Sequence, residues 1–289
     1  MAGTLFVVAT PIGNLEDLSF RALRVLKEVN LIAAEDTRRT LKLLSHYGIR
    51  QSMVSLHEHN EVRETPRLIA RLTSGASIAL VSDAGTPGVA DPGAHLVRAA
   101  REAGISVSPI PGPSAVMAAL SASGVPASEF VFMGFPPRSG SARSQWFARL
   151  SAEPRAVVFF EAPHRIARTL NEASQLLVER PIHIHRELTK IHEEYVIQHN
   201  SASDREPKEA GEFVVVVSSS SDSGHGSVDD DGKMNQAVEL VGCITDNCSI
   251  ESELAVSIIS RGLDVSAAGV RKAVKKARIA QKRRDEALS

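Results

Sequence analysis

The chain has 289 residues, of which 43% are hydrophobic and 23% are charged, a composition that argues against bulk disorder or a fibrous protein. Its formal net charge of -1 excludes a surface covered in positive charge, although a nucleic-acid-binding protein can still concentrate lysine and arginine locally. The two cysteines, Cys243 and Cys248, are too few for a disulfide scaffold or a four-cysteine zinc site and favour a reducing compartment.

The N-terminal segment has no basic start, and its apolar run is short, so it predicts a first strand and not a signal peptide. No apolar run approaches the roughly 18 residues that a membrane helix needs. We therefore expect a soluble, cytoplasmic protein with no membrane contact.

Short apolar runs alternate with longer segments of helical period up to residue 115, which is typical of a sheet covered by helices. The predicted strands are Leu5–Ala9, Leu31–Ala34, Met53–Leu56, Ile78–Val81 and Ser106–Ile110. The predicted helices are Leu15–Glu28, Thr37–His46, Asn60–Thr73 and Asp91–Ala103. We expect residues 1–115 to form an N-terminal α/β domain.

A second set of elements predicts another α/β domain over residues 116–217, with a hinge between the two domains at Ser114–Pro126. The predicted strands are Phe130–Met133, Ala156–Phe160, Ile182–His185, Glu193–Gln198 and Glu212–Val217. Helices are predicted at Ala142–Leu150 and Arg165–Val178. The short connections between the late strands favour antiparallel pairing and hence a mixed sheet.

Residues 218–233 are rich in Ser, Asp and Gly and predict a flexible linker, and residues 234–289 predict a basic helical tail. A run of basic residues without an intervening acid comprises Arg271, Lys272, Lys275, Lys276, Arg278, Lys282, Arg283 and Arg284. This run has two equally weighted interpretations, a solvated helix face or a surface that contacts phosphates.

Four turns rich in glycine and proline follow predicted strands, at residues 9–14, 82–88, 111–115 and 134–138. Ligands of open α/β sheets lie beyond the carboxyl ends of the strands, where glycine lets the backbone approach closely. The four turns therefore predict one ligand-binding cleft. The sequence lacks the P-loop pattern, the G-x-G-x-x-G fingerprint after its first strand and the G-x-S-x-G elbow of many hydrolases.

Polar residues gather at the same strand ends. Glu35, Asp36 and Arg38 follow the second strand, where Asp36 is equally suited to cap the next helix. His57 and His59 follow the third strand, but no carboxylate or cysteine partners stand at a metal-binding spacing, so we expect no metal site.

Charged residues also cluster in "FFEAPHR" at 159–165 and "HRELTKIHEE" at 185–194. They predict either salt bridges between the domains or a polar wall for an anionic substrate, with arginine as a planar phosphate clamp.

Eight segments, in order from about residue 4 to residue 217, resemble the tetrapyrrole methylase superfamily and, within it, the bacterial ribosomal RNA branch. They are "TPIGNLEDLSFRAL", "AEDTRRT", "LVSDAGTPGVADPGAHLVR", "PIPGPSAVMAALSASGVP", "VFMGFPPR", "FFEAPHRI", "RELTKIHEE" and "GEFVVVV". The resemblance implies a two-domain tetrapyrrole-methylase-like α/β fold with mixed sheets, flanking helices and a C-terminal helical appendage. It also implies a homodimer with S-adenosyl-L-methionine bound between the domains of each chain.

The activity that the resemblance implies is methyl transfer to the ribose 2′-hydroxyl of a cytidine in the decoding region of 16S rRNA, within the small ribosomal subunit. The cofactor-binding residues carried over are Pro11, Ser82, Asp83, Ala84, Ser114, Ala115, Phe135 and Phe160. For the general base we favour Asp36 or Glu187, then His57, which lie at predicted strand ends beside arginines. The arginines expected to hold RNA phosphates are Arg38, Arg165 and Arg186.

The first turn, "TPIGN", departs from the glycine-rich first turn of the tetrapyrrole enzymes and matches the RNA branch instead. Two alternatives remain open. One is a small-molecule methyltransferase that acts on a tetrapyrrole, and the other is a non-catalytic RNA-binding factor for ribosome assembly.

Overall fold

A computed structural model describes residues 2–177, 180–198 and 208–220, and in the C-terminal part residues 237–238, 240–241, 252–262, 267–268 and 270–276. The chain forms two compact units, residues 1–223 and 224–289. The first unit holds two five-stranded sheets. The predicted domain boundary at residue 115 stays a prediction.

The first sheet is formed by strands β1 (Thr4–Val8), β2 (Leu31–Ala34), β3 (Met53–Ser55), β4 (Ile78–Val81) and β5 (Ser106–Ile110). Their order is β3-β2-β4-β1-β5, and all four pairings are parallel. Every residue of β2 and β4 is buried, as expected for central strands that helices cover on both faces. The five strands lie within one residue of their predicted bounds.

Four helices cover this sheet: α1 (Phe20–Glu28), α2 (Thr37–His46), α3 (Glu61–Thr73) and α4 (Ala94–Glu102). Side chains of α1 and α2 pack in one apolar cluster and side chains of α3 and α4 in another, each with residues of the strands. The predicted helix Leu15–Glu28 is interrupted, because Ser19 starts a new helix by accepting a hydrogen bond from the Ala22 amide.

The second sheet is formed by strands β6 (Phe130–Phe132), β7 (Ala156–Glu161), β8 (Ile182–Arg186), β9 (Glu194–Gln198) and β10 (Phe213–Val217), in the order β6-β7-β10-β8-β9. Only the β6–β7 pairing is parallel among these described strands, so the predicted mixed sheet is confirmed. Helices α6 (Gly140–Ala152) and α7 (Ile166–Leu176) contribute to the apolar cluster on one of its faces.

The segment predicted as a hinge contains helix α5 (Ala115–Ser123). Val116 and Leu120 pack with Val214 and Val216 of β10, so this segment is part of the core. Its sequence, "AVMAALSAS", has almost no polar face, which is why helical periodicity did not reveal it.

In the second unit, helix α8 (Ser252–Gly262) contributes to a small apolar cluster, and residues 270–276 are helical. The predicted helical appendage is confirmed in this described part. Arg278, Lys282, Arg283, Arg284 and residues 221–233 of the predicted linker lie outside the described residues. In the part of the chain that was searched, no helix combines the length and the apolar character needed to cross a membrane.

His185 is buried on β8, with its ring 4.8 Å from the ring of Tyr195. Its Nε2 atom has no hydrogen-bond partner among the described residues. Burial, and to a smaller extent the neighbouring His183, lowers the pKa of His185 from 6.5 to about 4. The folded protein therefore holds this ring neutral at pH values where the unfolded chain binds a proton.

We expect this histidine to make the fold sensitive to acid. Its contribution to stability is complete above pH 6.5 and is lost as the pH falls towards 4, because only the unfolded chain gains the proton in that range. Urea unfolding at pH 7.5 and at pH 5 gives the free energy of unfolding. Between these two pH values it should fall by about 2 kcal/mol more for the wild type than for His185→Phe. Equal losses in both proteins would contradict this assignment.

Candidate functional site

A crevice opens between the carboxyl ends of β2 and β4. These strands are neighbours, but the chain leaves β2 towards β3 on one side of the sheet and leaves β4 towards β5 on the other. The two connections therefore diverge, and such a switch point is where open α/β sheets bind their ligands. Glu35 and Asp36 follow β2 here, and Ser82 and Asp83 follow β4.

Hydrogen bonds join three of the predicted turns into one structure. Thr10 and Gly85 exchange two backbone hydrogen bonds of 2.9 Å, which tie the turn after β1 to the turn after β4. The hydroxyl of Thr86 donates to the carbonyl of Pro113, 3.2 Å away, in the turn after β5. Gly85 has a φ of 77°, a conformation that side chains rarely adopt, so this junction requires glycine.

The fourth turn, residues 134–138, belongs to the second sheet and brings Phe135 to the cleft. The rings of Phe135 and Phe160 lie 5.4 Å apart and form an aromatic wall. Arg143 donates to the Pro137 carbonyl at 3.0 Å, and Arg165 donates to the Pro136 carbonyl. Two arginines thus hold the backbone that presents Phe135.

These arginines are themselves fixed by a buried network. Arg165 pairs with Glu161 at 3.2 Å, and the Thr169 hydroxyl donates to the other oxygen of Glu161 at 2.6 Å. Arg143 donates to the Thr169 hydroxyl and pairs with Glu172. Such networks are rigid when every member is satisfied, so the aromatic wall has a firm support.

The cavity bounded by these turns has a volume of about 370 Å³. Apolar side chains line part of it, including Ile12, Val89 and Leu188. Five carboxylates line it and only one basic side chain, Arg39, among the described residues; the acids are Glu35, Asp83, Asp91, Glu161 and Glu212. The lining therefore favours a ligand that carries positive charge.

Glu35 and Asp83 bind the two turns to each other. The amide of Asp83 donates to Glu35 Oε2 at 3.1 Å, and the amide of Asp36 donates to Asp83 Oδ1 at 3.0 Å. Arg39 lies 3.5 Å from the second oxygen of Asp83. These bonds hold two negative charges close together with one cation.

Two carboxylates of the cleft have a raised proton affinity. Burial raises the pKa of Asp91 from 3.8 to about 6, and the negative charges of Glu35 and Asp83 add to the effect. Burial also raises the pKa of Glu35, although the hydrogen bond from the Asp83 amide acts in the opposite direction. Perturbed carboxylates in a cleft are typical of functional sites.

Glu61 fixes the far end of the long loop after β4. Its Oε1 accepts from the amides of Gly93, His95 and Leu96 at 2.9–3.1 Å, which caps helix α4 from a neighbouring helix. Gly93 has a φ of 121°, and a Cβ there would lie 2.6 Å from Leu80. The loop is therefore held at both ends, close to Asp83 and to Asp91.

The structure brings together most of the predicted cofactor residues. Six of the eight line the cleft: Asp83, Ala84, Ser114, Ala115, Phe135 and Phe160. The other two, Pro11 and Ser82, line an adjoining cavity of about 170 Å³ that also includes Asp83. Contact with the cofactor stays a prediction for all eight.

The three predicted base candidates are not among the residues that line the cleft. Asp36 caps α2, and its pairing with Arg38 holds the pKa of its carboxyl well below the usual range. Glu187 pairs with Lys190 at 2.7 Å, which holds its pKa down against the opposing effect of burial. The Nδ1 atom of His57 is buried with no hydrogen-bond partner in the described part of the chain.

The three arginines predicted to hold RNA differ in their surroundings. The Arg38 side chain is 87% exposed, whereas those of Arg165 and Arg186 are 17% and 11% exposed. Arg186 donates to the Ala210 carbonyl and pairs with Glu194. Arg165 and Arg186 thus have partners within residues 116–217, so these two salt bridges do not join the predicted domains.

The cleft also contains residues that were not among the predicted catalytic, cofactor-binding or RNA-binding residues. Asp91 was placed at the start of a helix, but Ala94 is the first helical residue, and Asp91 remains in the loop. Glu35 and Arg39 are sequence neighbours of the predicted Asp36 and Arg38. Glu35 and Arg39 line the cleft, whereas Asp36 and Arg38 do not. In the sequence, the one indication that Asp91 belongs to the cleft was that it shares the segment "SDAGTPGVAD" with Asp83.

Comparison with known proteins then identifies the chain. The family model of the Tetrapyrrole (Corrin/Porphyrin) Methylases matches residues 4–202. The chain belongs to this family. The resemblance stated from the sequence motifs is thereby confirmed.

Two similar relatives of this tetrapyrrole methylase carry the name ribosomal RNA small subunit methyltransferase I. The protein from Xylella fastidiosa (strain Temecula1) is 50% identical over 227 residues, 76% of this chain and 83% of the relative. The protein from Neisseria meningitidis serogroup B is 43% identical over 271 residues, 91% of each chain.

Solved structures share the fold at low sequence identity. The methyltransferase CobJ has a TM-score of 0.57 at 19% identity and covers 75% of this chain and 95% of its own. Uroporphyrin-III C-methyl transferase from Thermus thermophilus, complexed with S-adenyl homocysteine, has a TM-score of 0.51 at 17% identity. It covers 75% of this chain and 97% of its own. At these identities the likeness shows the fold alone.

The cleft of this methylase fits S-adenosylmethionine, which carries a sulfonium and an ammonium group. The acidic lining offers favourable charge to both cations, and the Phe135–Phe160 wall offers a stacking surface to an adenine ring. The α5 N-terminus at Ser114 and Ala115 offers backbone amides to a carboxylate. Among the described residues, no group of three or more His, Cys, Asp or Glu side chains could hold a metal ion.

We expect Glu61→Ala to loosen the loop after β4. Removing its oxygen leaves buried amides of Gly93 and Leu96 without an acceptor, which costs about 1–3 kcal/mol. Glu61→Gln keeps a carbonyl oxygen at the same place and serves as the matched control. Urea unfolding and calorimetric binding of S-adenosylhomocysteine should show both stability and affinity reduced in the alanine variant only. Equal damage in both variants would contradict a capping role.

Proposed function

We propose that the protein uses S-adenosylmethionine to methylate the ribose 2′-hydroxyl of a cytidine in the decoding region of 16S rRNA. We infer that it acts in the cytoplasm, as a homodimer, on the small ribosomal subunit. The observation that carries the proposal is the acid-lined cleft at the switch point, in a chain 50% identical to a relative named ribosomal RNA small subunit methyltransferase I.

The residues proposed to hold the cofactor come from both sheets. The turns after β4 and β5 supply Asp83, Ala84 and Ser114, and the second sheet supplies Phe135 and Phe160. When bound, the cofactor supplies an electrophilic methyl group on a positively charged sulfur. The chain's own residues must align the acceptor hydroxyl and remove its proton. Alignment can lower the activation barrier by about 7–11 kcal/mol, and a general base can raise the rate by about 10²- to 10⁴-fold.

The charge of the cleft restricts which part of an RNA can enter. A phosphate is repelled by the acidic lining, whereas a ribose hydroxyl is neutral and can approach the carboxylates. The phosphates on either side of the target nucleotide are best held at the rim. Arg38 and Arg39, both exposed on α2, and Lys42, which lines the adjoining cavity, place positive charge there.

The single test of the activity is transfer of a labelled methyl group from S-adenosylmethionine to small ribosomal subunits from a strain that lacks the enzyme. We expect label on one ribose 2′-oxygen of 16S rRNA, located by mapping the modified nucleotide. Free 16S rRNA and a tetrapyrrole such as uroporphyrinogen serve as comparison acceptors. Label on the tetrapyrrole, or none on RNA while S-adenosylhomocysteine still binds, would contradict the proposed acceptor.

We expect Arg38 and Arg165 to affect RNA binding in different ways. Arg38→Ala should reduce affinity for small subunits and lower the slope of log affinity against log salt by about 0.7, the share of one phosphate contact on single-stranded nucleic acid. Arg165→Gln should reduce stability and cofactor affinity and leave that slope unchanged, because its guanidinium is bonded to Glu161 and the Pro136 carbonyl. A lowered slope in the Arg165 variant would instead support its predicted contact with phosphate.

A further inference from the structure

The five carboxylates that line the cleft differ in how many of their oxygens are already bonded. Both oxygens of Glu161 are engaged, by the Ala162 amide, Arg165 and the Thr169 hydroxyl. Both oxygens of Asp83 are engaged, by the Asp36 amide and by Arg39. Each oxygen of these two carboxylates thus already has a partner within the protein.

Two of the remaining three also have structural partners. Glu212 pairs with Lys190 at 3.0 Å, and its side chain is 66% exposed. Glu35 accepts the amide of Asp83 and so joins the turns after β2 and β4. Near Asp91, the Ser82 hydroxyl donates to the Ala84 carbonyl at 3.3 Å, and no other donor in the described part of the chain acts on the Asp91 carboxylate.

The backbone around Asp91 is held in an unusual conformation. Ala90 has a φ of 62°, which costs energy for a residue other than glycine and persists only where the surroundings impose it. On the other side, Gly93 is bonded to the buried carboxylate of Glu61. Strain and a tertiary cap thus flank one side chain, which is the kind of support that a positioned catalytic group needs.

We propose that the Asp91 carboxylate is the general base that accepts the proton of the ribose hydroxyl, an inference that rests on the proposed function. Asp91 lines the cleft, is held by the loop on both sides and has lone pairs available to a substrate proton. In the reaction the O–H bond breaks and its proton passes to Asp91, while the oxygen bonds to the methyl carbon. The C–S bond breaks, its electron pair stays on sulfur, and the Asp91 proton is later released to water.

Proton affinity agrees with this geometry. The pKa of Asp91, about 6, lies close to neutral pH, which is where a general base is most effective. The charged groups that line the cleft with it are Glu35, Asp83, Glu161, Glu212 and Arg39, and the Ser82 hydroxyl has a smaller, opposite effect on the pKa of Asp91. By contrast, pairing with Arg38 makes the pKa of Asp36 too low for this role.

The activity test compares Asp91→Asn with Glu102→Gln, an exposed acid at the end of α4 that serves as the matched control. We expect kcat/KM for small subunits to fall about 10²- to 10⁴-fold in Asp91→Asn and to stay unchanged in the control. Calorimetric affinity for S-adenosylhomocysteine should stay close to that of the wild type, because the amide keeps the shape of the side chain and four other carboxylates of the lining remain. The wild-type rate should rise with pH to a plateau around a midpoint near 6, and this step should be absent in Asp91→Asn.

A second measurement uses the protein without cofactor or RNA. With ¹³C-labelled aspartate, one carboxyl resonance should titrate with a midpoint near 6 and disappear in Asp91→Asn. Glu35→Gln removes a neighbouring negative charge, so both this midpoint and the midpoint of the rate profile should move to lower pH. A purely structural role for Asp91 would not make the two midpoints move together.

The outcomes separate the two proposals. Wild-type protein that transfers no methyl to small subunits overturns the proposed function and, with it, the role of Asp91. An active wild type with an equally active Asp91→Asn variant overturns the role of Asp91 alone. Loss of activity together with the coupled shift in Glu35→Gln supports it. A titration midpoint that Glu35→Gln leaves unchanged overturns it.

Discussion

The reciprocal hydrogen bonds between the turns after β2 and β4 are the constraint on which the site depends. Each turn offers a backbone amide to a carboxylate of the other, so the two strand ends cannot separate where their connections diverge. The same bonds keep Glu35 and Asp83 close together, although like charges repel. The fold thus determines the charge of the cleft, because the pairing that closes the crevice also concentrates acid within it.

The path of the loop between β4 and α4 explains why this connection contains so many glycine and proline residues. It passes Gly85 close to Thr10, turns through Ala90 and ends at Gly93 against Leu80. Ordinary residues would be strained or would clash at the two glycine positions. The result is a connection that is long but held at several points, with one acid at each end facing the same cavity.

The elements were predictable because their patterns are local. Strands β2, β4 and β5 have the predicted bounds, since buried apolar runs between turns leave few alternatives. The direction of a side chain at a strand end is not local, and this is why Asp36 was favoured over Glu35. Asp91 was missed for another reason, since it was placed at the start of a predicted helix. Helix α5 was missed because both of its faces are apolar. The Pro136 carbonyl, one of the partners of Arg165, lies in a distant turn.

The acid-lined cleft also treats its ligand differently before and after the proposed reaction. S-adenosylmethionine carries one more positive charge than S-adenosylhomocysteine, while the two have nearly the same shape. Carboxylates that favour a cation therefore hold the charged molecule more strongly than the neutral thioether. The fixed charges of the protein thus oppose product inhibition in the proposed reaction.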